Sequence, residues 1–275
     1  MLSIIESLKN NPDVLRIEEI EAPERWAEKV ILCNLRYRND DVEVEGFAAF
    51  PKELTAPAPV IIFNRGGNRN FAALKGERLC IFAANGYVTF GSQYRGNCGG
   101  TGMEEFGGKD VTDVIKLIDI AMELPQTRHE GVYMWGHSRG GMMTYRACAM
   151  DSRIKAAVVG AGLADCFIMY HRCYNDEYDM RQDCNELVGG SPEEMPEAYE
   201  LRSAVCWPEK ILCPILICQG TDDWRVIPGQ SYEMVRGLKK AGKEHKFVVY
   251  PGADHSLKGT DFHKDGFAWL YAHPL

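Results

Sequence analysis

Val132-Tyr133-Met134-Trp135-Gly136-His137-Ser138-Arg139-Gly140-Gly141-Met142 is the stretch from which the rest of the chain is read. Four apolar residues run into a glycine-bracketed serine, and a helix-length segment, 142–150, follows. A short apolar run without alternation reads as a strand buried on both faces. Glycines on either side of Ser138 permit a tight strand-to-helix turn that holds the serine backbone in a strained geometry. In such a turn the Ser138 hydroxyl projects above the sheet edge. The N–H of Arg139 then lies at a helix N-terminus, aimed at negative charge as it develops. The stretch predicts a nucleophile.

The same strand pattern recurs outward from it. Apolar runs at 60–63, 87–90, 156–159, 214–218 and 247–250 each end in a glycine-containing loop, and helix-length segments such as 111–124 lie between them. Repeated strand–helix units predict an α/β fold with a mainly parallel central sheet sandwiched by helices and a site at the strand C-termini. Nearer the N-terminus, 29–38 and 42–50 read as two strands joined by a turn at Asn39-Asp40-Asp41, and the second alternates Val42, Val44 and Phe47 with charged neighbours, which predicts a hairpin at a sheet edge. Residues 1–28 read as a surface arm or helix. Residues 163–209 contain no strand pattern and read as a small helical cap, so that 1–275 forms a single domain.

Composition limits the function classes. The chain of 275 residues is 45 % hydrophobic and 25 % charged, with a net charge of −8. That is the mix of a globular protein and gives no electrostatic reason to expect nucleic acid or an anionic membrane surface as a partner. No run approaches the roughly 18–20 apolar residues of a membrane span. The ten cysteines include no C-x-x-C pair, and the N-terminus lacks a secretory pattern, so reduced thiols and a cytoplasmic location are expected. Cys166, Cys173 and Cys184 are irregularly spaced and have no histidine partners, so no metal is expected there.

A serine hydroxyl needs a base, and the base an orienting carboxylate. In a fold of this class their chain order is serine, acid, histidine, each on a loop after a later strand. His255 is the histidine on the loop directly after the last predicted strand. Asp222 and Asp223 both stand on the loop after 214–218, with Asp254 a third candidate. His137 adjoins the nucleophile and is expected to point away from the reacting atoms, supporting the residues that line them.

Taken in order, several motifs resemble the catalytic domain of the prolyl oligopeptidase family of serine hydrolases, over roughly residues 29–272. They are Arg65-Gly66-Gly67, Tyr94-Arg95-Gly96-Asn97, Glu105-Phe106-Gly107-Gly108-Lys109-Asp110, the GHSRGG turn, Tyr199-Glu200-Leu201-Arg202-Ser203-Ala204, and QGTDDWRVIP from Gln219. The resemblance implies the α/β-hydrolase fold, Asp223 as the acid, and Arg225 as a substrate contact. It also implies Gly67 as the second oxyanion donor beside Arg139. Tyr94, on its glycine-rich loop, is either a further candidate substrate contact or a residue that packs the loop, and Arg65 is expected to anchor its loop. Two features depart from the family. The β-propeller of larger members has no counterpart in the 28 residues or so before the first predicted strand, and Arg139 stands where peptidase members carry Tyr.

These readings predict a cofactor-independent serine hydrolase with the triad Ser138, Asp223 and His255, acting on a short peptide or other small molecule. An amide-cleaving peptidase and a carboxylesterase use the same machinery, and a hydrolase-fold binding protein without activity is the reading from another class. Activity is expected to fall in acid, because a protonated imidazole cannot act as a base. In the cap, Met169, Tyr170, Tyr174, Tyr178 and Trp207 are candidate apolar contacts, with Asp176, Glu177 and Asp179 as acidic ones.

Overall fold

Residues 3–172 and 179–275 are described by the structure, a computed structural model, and the chain divides into two units. The first runs to Glu104 and resumes over Lys109–Met134, with Leu275. The second comprises Glu105–Gly108 and Trp135–Pro274.

The first unit opens with α1 (Ile4–Lys9), where Ser3 and Glu6 form a reciprocal cap. It continues through β1 (Val14–Ile20), α2 (Glu24–Ala27), β2 (Val30–Asn39), β3 (Val42–Pro51), β4 (Val60–Asn64), α3 (Glu77–Ala83), β5 (Val88–Ser92) and α4 (Asp110–Met122). The strands lie in the order β1-β2-β3-β5-β4. The β1–β2, β2–β3 and β3–β5 pairings are antiparallel, whereas β4 and β5 run parallel with Ile62 opposite Phe90. The predicted hairpin is β2–β3, with Asp40 in the left-handed region its turn requires. α4 buries Val111, Val114, Leu117, Ile118 and Ala121; of the face expected from its spacing, Val111, Val114 and Ile118 are buried, whereas Ile115 and Met122 are half-buried.

Two expectations are corrected here. The segment 1–28 is not only an arm, since it contributes a strand, and the β2–β3 hairpin is therefore not the edge: β1 covers it. β1 hid because its buried residues, Val14 and Ile17, are three apart rather than two or four. The register shifts between Val14 and Arg16, and the irregularity returns Ile17 to the same face as Val14.

The second unit begins in the course of β6 (Val132–His137) and continues with α5 (Arg139–Met150), β7 (Ile154–Gly160), α6 (Cys166–His171), α7 (Arg181–Val188), α8 (Pro196–Arg202), β8 (Ile215–Gly220), α9 (Pro228–Lys240), β9 (His245–Tyr250) and α10 (Phe262–Ala272). β7 pairs parallel with β8, and β8 with β9. β8 is buried throughout. β9 was expected to be buried on both faces, yet none of its residues is fully buried, because it is the last strand in the order. An apolar run cannot show on its own whether a neighbour will cover it. Trp135 packs edge-on against Phe262 and stacks on His263, which docks α10.

The described part of 163–209 is helical, with α6, α7, α8 and two short 3-10 turns. Its entry is pinned by Gln230, whose Oε1 accepts the N–H groups of Ala164 and Asp165 at 3.0 Å each. Ser203 Oγ accepts the Cys166 N–H at 2.9 Å and donates to the Tyr199 carbonyl at 2.8 Å. No helix among the described residues is long and apolar enough to cross a membrane. The nine described cysteines are free thiols.

Candidate active site

Ser138 sits between β6 and α5 with φ 60° and ψ −127°, outside every region an L-residue occupies without strain. Three main-chain hydrogen bonds hold it there. Its N–H donates to the Gly160 carbonyl at 3.0 Å, and its carbonyl accepts from Gly141 at 2.8 Å and Leu163 at 3.0 Å. Glycine is required at 136, where a Cβ would lie 2.1 Å from the Gly140 carbonyl oxygen. α5 starts at Arg139, so the N–H groups of its first turn, and the positive end of its dipole, lie beside the serine.

The hydroxyl of Ser138 is 2.9 Å from His255 Nε2. On the other side of the ring, Nδ1 lies 3.0 and 2.9 Å from the two carboxylate oxygens of Asp223. The Asp223 carboxylate is the acceptor, so Nδ1 carries a proton, and in the neutral ring Nε2 is then the lone-pair nitrogen facing the hydroxyl. Asp223 is 2 % exposed, which an ionised carboxylate tolerates only when well bonded. Its Oδ1 accepts the N–H groups of Arg225 and Val226 at 3.0 Å each, and Oδ2 accepts from Gln219 Nε2 at 3.0 Å. Asp222 is exposed and accepts from the Thr221 hydroxyl at 2.8 Å. Asp254 is exposed too, and bonds from Ser256 hold its carboxyl below the usual range. Of the three candidate acids, Asp223 is the one bonded to the His255 ring.

The model of the prolyl oligopeptidase family matches residues 73–273. The chain belongs to this family. It is 29 % identical over 230 residues to the uncharacterized peptidase YtmA of Bacillus subtilis, covering 83 % of this chain and 88 % of that one. It is 25 % identical to the acylamino-acid-releasing enzyme of Arabidopsis thaliana over 86 % of this chain and 35 % of that enzyme. The chain thus spans most of one relative and about a third of the larger one. Among solved structures, the acetyl xylan esterase of Paenibacillus sp. R4 superposes with a TM-score of 0.73 at 15 % identity, over 98 % of this chain and 92 % of that one. An acylaminoacyl peptidase in complex with Z-Gly-Gly-Phe-chloromethyl ketone gives 0.71 at 24 % identity, over 86 % and 40 %. The fold is that of the α/β hydrolases, a mixed and mainly parallel sheet flanked by helices, and the chain is a serine peptidase-like hydrolase.

Other residues singled out in the prolyl oligopeptidase frame fall into place unevenly. The Arg139 guanidinium lies 4.7 Å from the Phe106 ring centroid, and the residue is 3 % exposed. Arg225 is half-buried, with its guanidinium over the Trp224 ring at 5.1 Å. Gly67 belongs to the first unit, in the left-handed region at φ 69°, where a Cβ would meet the Phe71 carbonyl oxygen at 2.2 Å. Of the two readings of Tyr94, the packing one fits its surroundings. Tyr94 is wholly buried, its hydroxyl donates to the Arg65 carbonyl at 2.9 Å, and its ring underlies the Arg65 guanidinium at 5.0 Å, so its side chain braces a loop instead of facing substrate. Arg65 anchors that loop as expected, donating to the carbonyls of Arg69 at 2.8 Å and Gln93 at 2.9 Å.

Met169 and Trp207 are buried, the indole N–H of Trp207 donating to the Glu200 carbonyl at 2.9 Å, so both serve packing within the excursion. Tyr170 is half-buried against Tyr199, and its hydroxyl donates to Asn185 Oδ1 at 3.0 Å. Asp179 pairs with Arg181. Cys173, Tyr174, Asp176, Glu177 and Tyr178 lie outside the described residues. Sequence reasoning passed over Gln219, the wholly buried residue that donates to Asp223. Its signal is a polar side chain closing an otherwise apolar strand, four positions before the acid.

Proposed function

We propose that this protein hydrolyses an amide or ester bond of a short peptide or small aminoacyl substrate through an acyl-enzyme on Ser138. The carrying observation is the relay of Ser138 Oγ, His255 and Asp223 at 2.9 Å on both sides of the ring. His255 Nε2 takes the hydroxyl proton as Oγ bonds to the substrate carbonyl carbon, and the carbonyl π pair moves onto its oxygen. The Arg139 N–H, at the N-terminus of α5, stabilises that oxyanion, a contribution of about 3 kcal/mol for one well-aimed donor. As the C–N or C–O bond breaks, the imidazolium returns the proton to the leaving group. A water molecule, deprotonated by the same histidine, then releases the acid and regenerates Ser138. Asp223 stays ionised throughout, holds the ring's tautomer and offsets the charge of the imidazolium.

The peptidase names of its relatives support the amide side of this reading. The test is kcat/KM on an aminoacyl-p-nitroanilide and on a short-chain p-nitrophenyl ester, with Ser138→Ala as control. Turnover of both, lost in Ser138→Ala, is expected. Ester turnover without detectable amide cleavage would assign a carboxylesterase, and full activity in Ser138→Ala would overturn the nucleophile.

A further inference from the structure

His255 stands in the middle of the 251–261 segment between β9 and α10, and its neighbours Asp254, Ser256 and Lys258 are exposed. A base on such a segment needs its main chain fixed as well as its ring. Upstream, the carbonyl of Ala253 accepts the Asp222 N–H at 3.0 Å. Downstream, Leu257 is buried with φ 52°. Between these tethers the His255 carbonyl oxygen lies 2.8 Å from Nε2 of His137, and the two rings are 5.1 Å apart between centroids. A carbonyl can only accept, so His137 Nε2 carries the proton and donates. The bond is therefore available from the neutral ring as well as from the imidazolium.

His137 is the last residue of β6 and the immediate neighbour of Ser138. Two consecutive residues thus hold the same histidine, Ser138 by its ring and His137 by its main chain. We propose that His137 is a positioning residue for the base, referring the His255 main chain to the strand end that also carries the nucleophile. This rests on the hydrolase reading above. The Oγ–Nε2 separation then depends on the rigid end of β6 and less on an exposed loop, and sub-ångström errors in that separation are costly in rate. The role acts on the chemical step through His255 and leaves substrate contacts unchanged.

The experiment compares His137→Leu, His137→Asn and His137→Gln with the parent protein. It measures kcat and KM on whichever p-nitrophenyl or p-nitroanilide substrate the parent cleaves, the rate of fluorophosphonate labelling of Ser138, and the melting temperature. Leu removes the donor, and the Asn amide stops short of the carbonyl. The Gln amide nitrogen reaches about as far as imidazole Nε2. We expect Leu and Asn to lower kcat and the labelling rate about tenfold with KM within twofold, and Gln to recover most of the loss. If Leu retains the parent's rates, or if Gln is no faster than Asn, the positioning role is overturned. Should Leu fail to fold, the Gln–Asn comparison alone decides. A parent protein that takes no label, or labels equally as Ser138→Ala, would instead sink the hydrolase reading.

Discussion

Gln219 Nε2 donates to Asp223 Oδ2 at 3.0 Å, while its Oε1 accepts the Ser231 hydroxyl at 2.8 Å. Gln219, Asp223 and Ser231 are all buried, so the proposed acid is oriented by an amide that α9 in turn orients. The carboxylate that fixes the His255 tautomer is thereby locked from inside the protein. The main-chain N–H groups of Arg225 and Val226, on its own loop, hold the other carboxylate oxygen.

Replacing Gln219 by Leu should leave Asp223 Oδ2 short of one buried donor. We expect kcat to fall about tenfold, with KM little changed, and stability to drop by about 1–3 kcal/mol. Steady-state kinetics and urea unfolding check both. Unchanged kcat would show that the main-chain bonds from Arg225 and Val226 suffice to orient the acid.

Asp223→Asn is expected to keep the fold and to lower kcat by about four orders of magnitude. An amide in place of the carboxylate favours the wrong imidazole tautomer and no longer offsets the imidazolium charge. Asp222→Asn, at the exposed neighbour, should change kcat by less than about twofold. A reversal of this order would move the acid to Asp222.

Gly136→Ala tests the turn itself. The added Cβ would stand 2.1 Å from the Gly140 carbonyl oxygen and 2.3 Å from Thr144 Oγ1, and main chain at the start of α5 would have to move. The expected cost is about 3 kcal/mol in denaturant unfolding, together with loss of fluorophosphonate labelling. Normal stability with normal labelling would mean that the strand-to-helix turn is looser than described.

In the first unit, Asp113 is wholly buried and bonds the Arg95 guanidinium at 2.7 Å, the Arg95 N–H at 2.8 Å and Asn39 Nδ2 at 2.7 Å. Asp113→Ala leaves a buried guanidinium without its carboxylate and should destabilise the fold by about 3–5 kcal/mol. Asp119→Ala, at a partly exposed position on the same helix, should cost much less.

Burial pushes the Cys80 thiol up to about 11 and those of Cys33, Cys184 and Cys218 up to about 12, against an ordinary value near 9. Thiolate being the reactive form, these four should resist a thiol reagent at pH 8 in the folded protein and react once it is unfolded. The same shifts fix the sign of an alkaline effect. Below about pH 9 the thiols are protonated in both states and stability is unaffected. From about pH 9 to 12 the unfolded chain loses these protons while the folded chain keeps them, so stability falls as pH rises. Urea midpoints that stay level from pH 8 to 10.5 would contradict it.

Much of this was legible in one dimension. The buried strands, the helix at 111–124 and the turn at Ser138 announce themselves because apolar periodicity and glycine placement are local constraints. His255 is readable because chain order in this fold narrows seven histidines to the loop after the last strand. The alternatives Asp222 and Asp223 had equal local claims, and resemblance to the prolyl oligopeptidase family was what favoured the second.

Where the sequence was silent or misleading, the deciding partner lay far away along the chain. β1 is a strand because β2 pairs with it across a register shift that breaks its alternation. β9 is half-buried because no strand follows it in the order. Tyr94 turns inward because the carbonyl of Arg65, 29 residues earlier, accepts its hydroxyl. Asp223 is buried and faces His255, while Asp222 meets solvent, through contacts 32 residues apart. The sequence by itself determined which residue types and turns were available for the proposed acyl transfer. Tertiary structure decided which aspartate, which glutamine and which second histidine meet the reacting pair, because hydrogen bonds between distant segments have no period for a sequence to display.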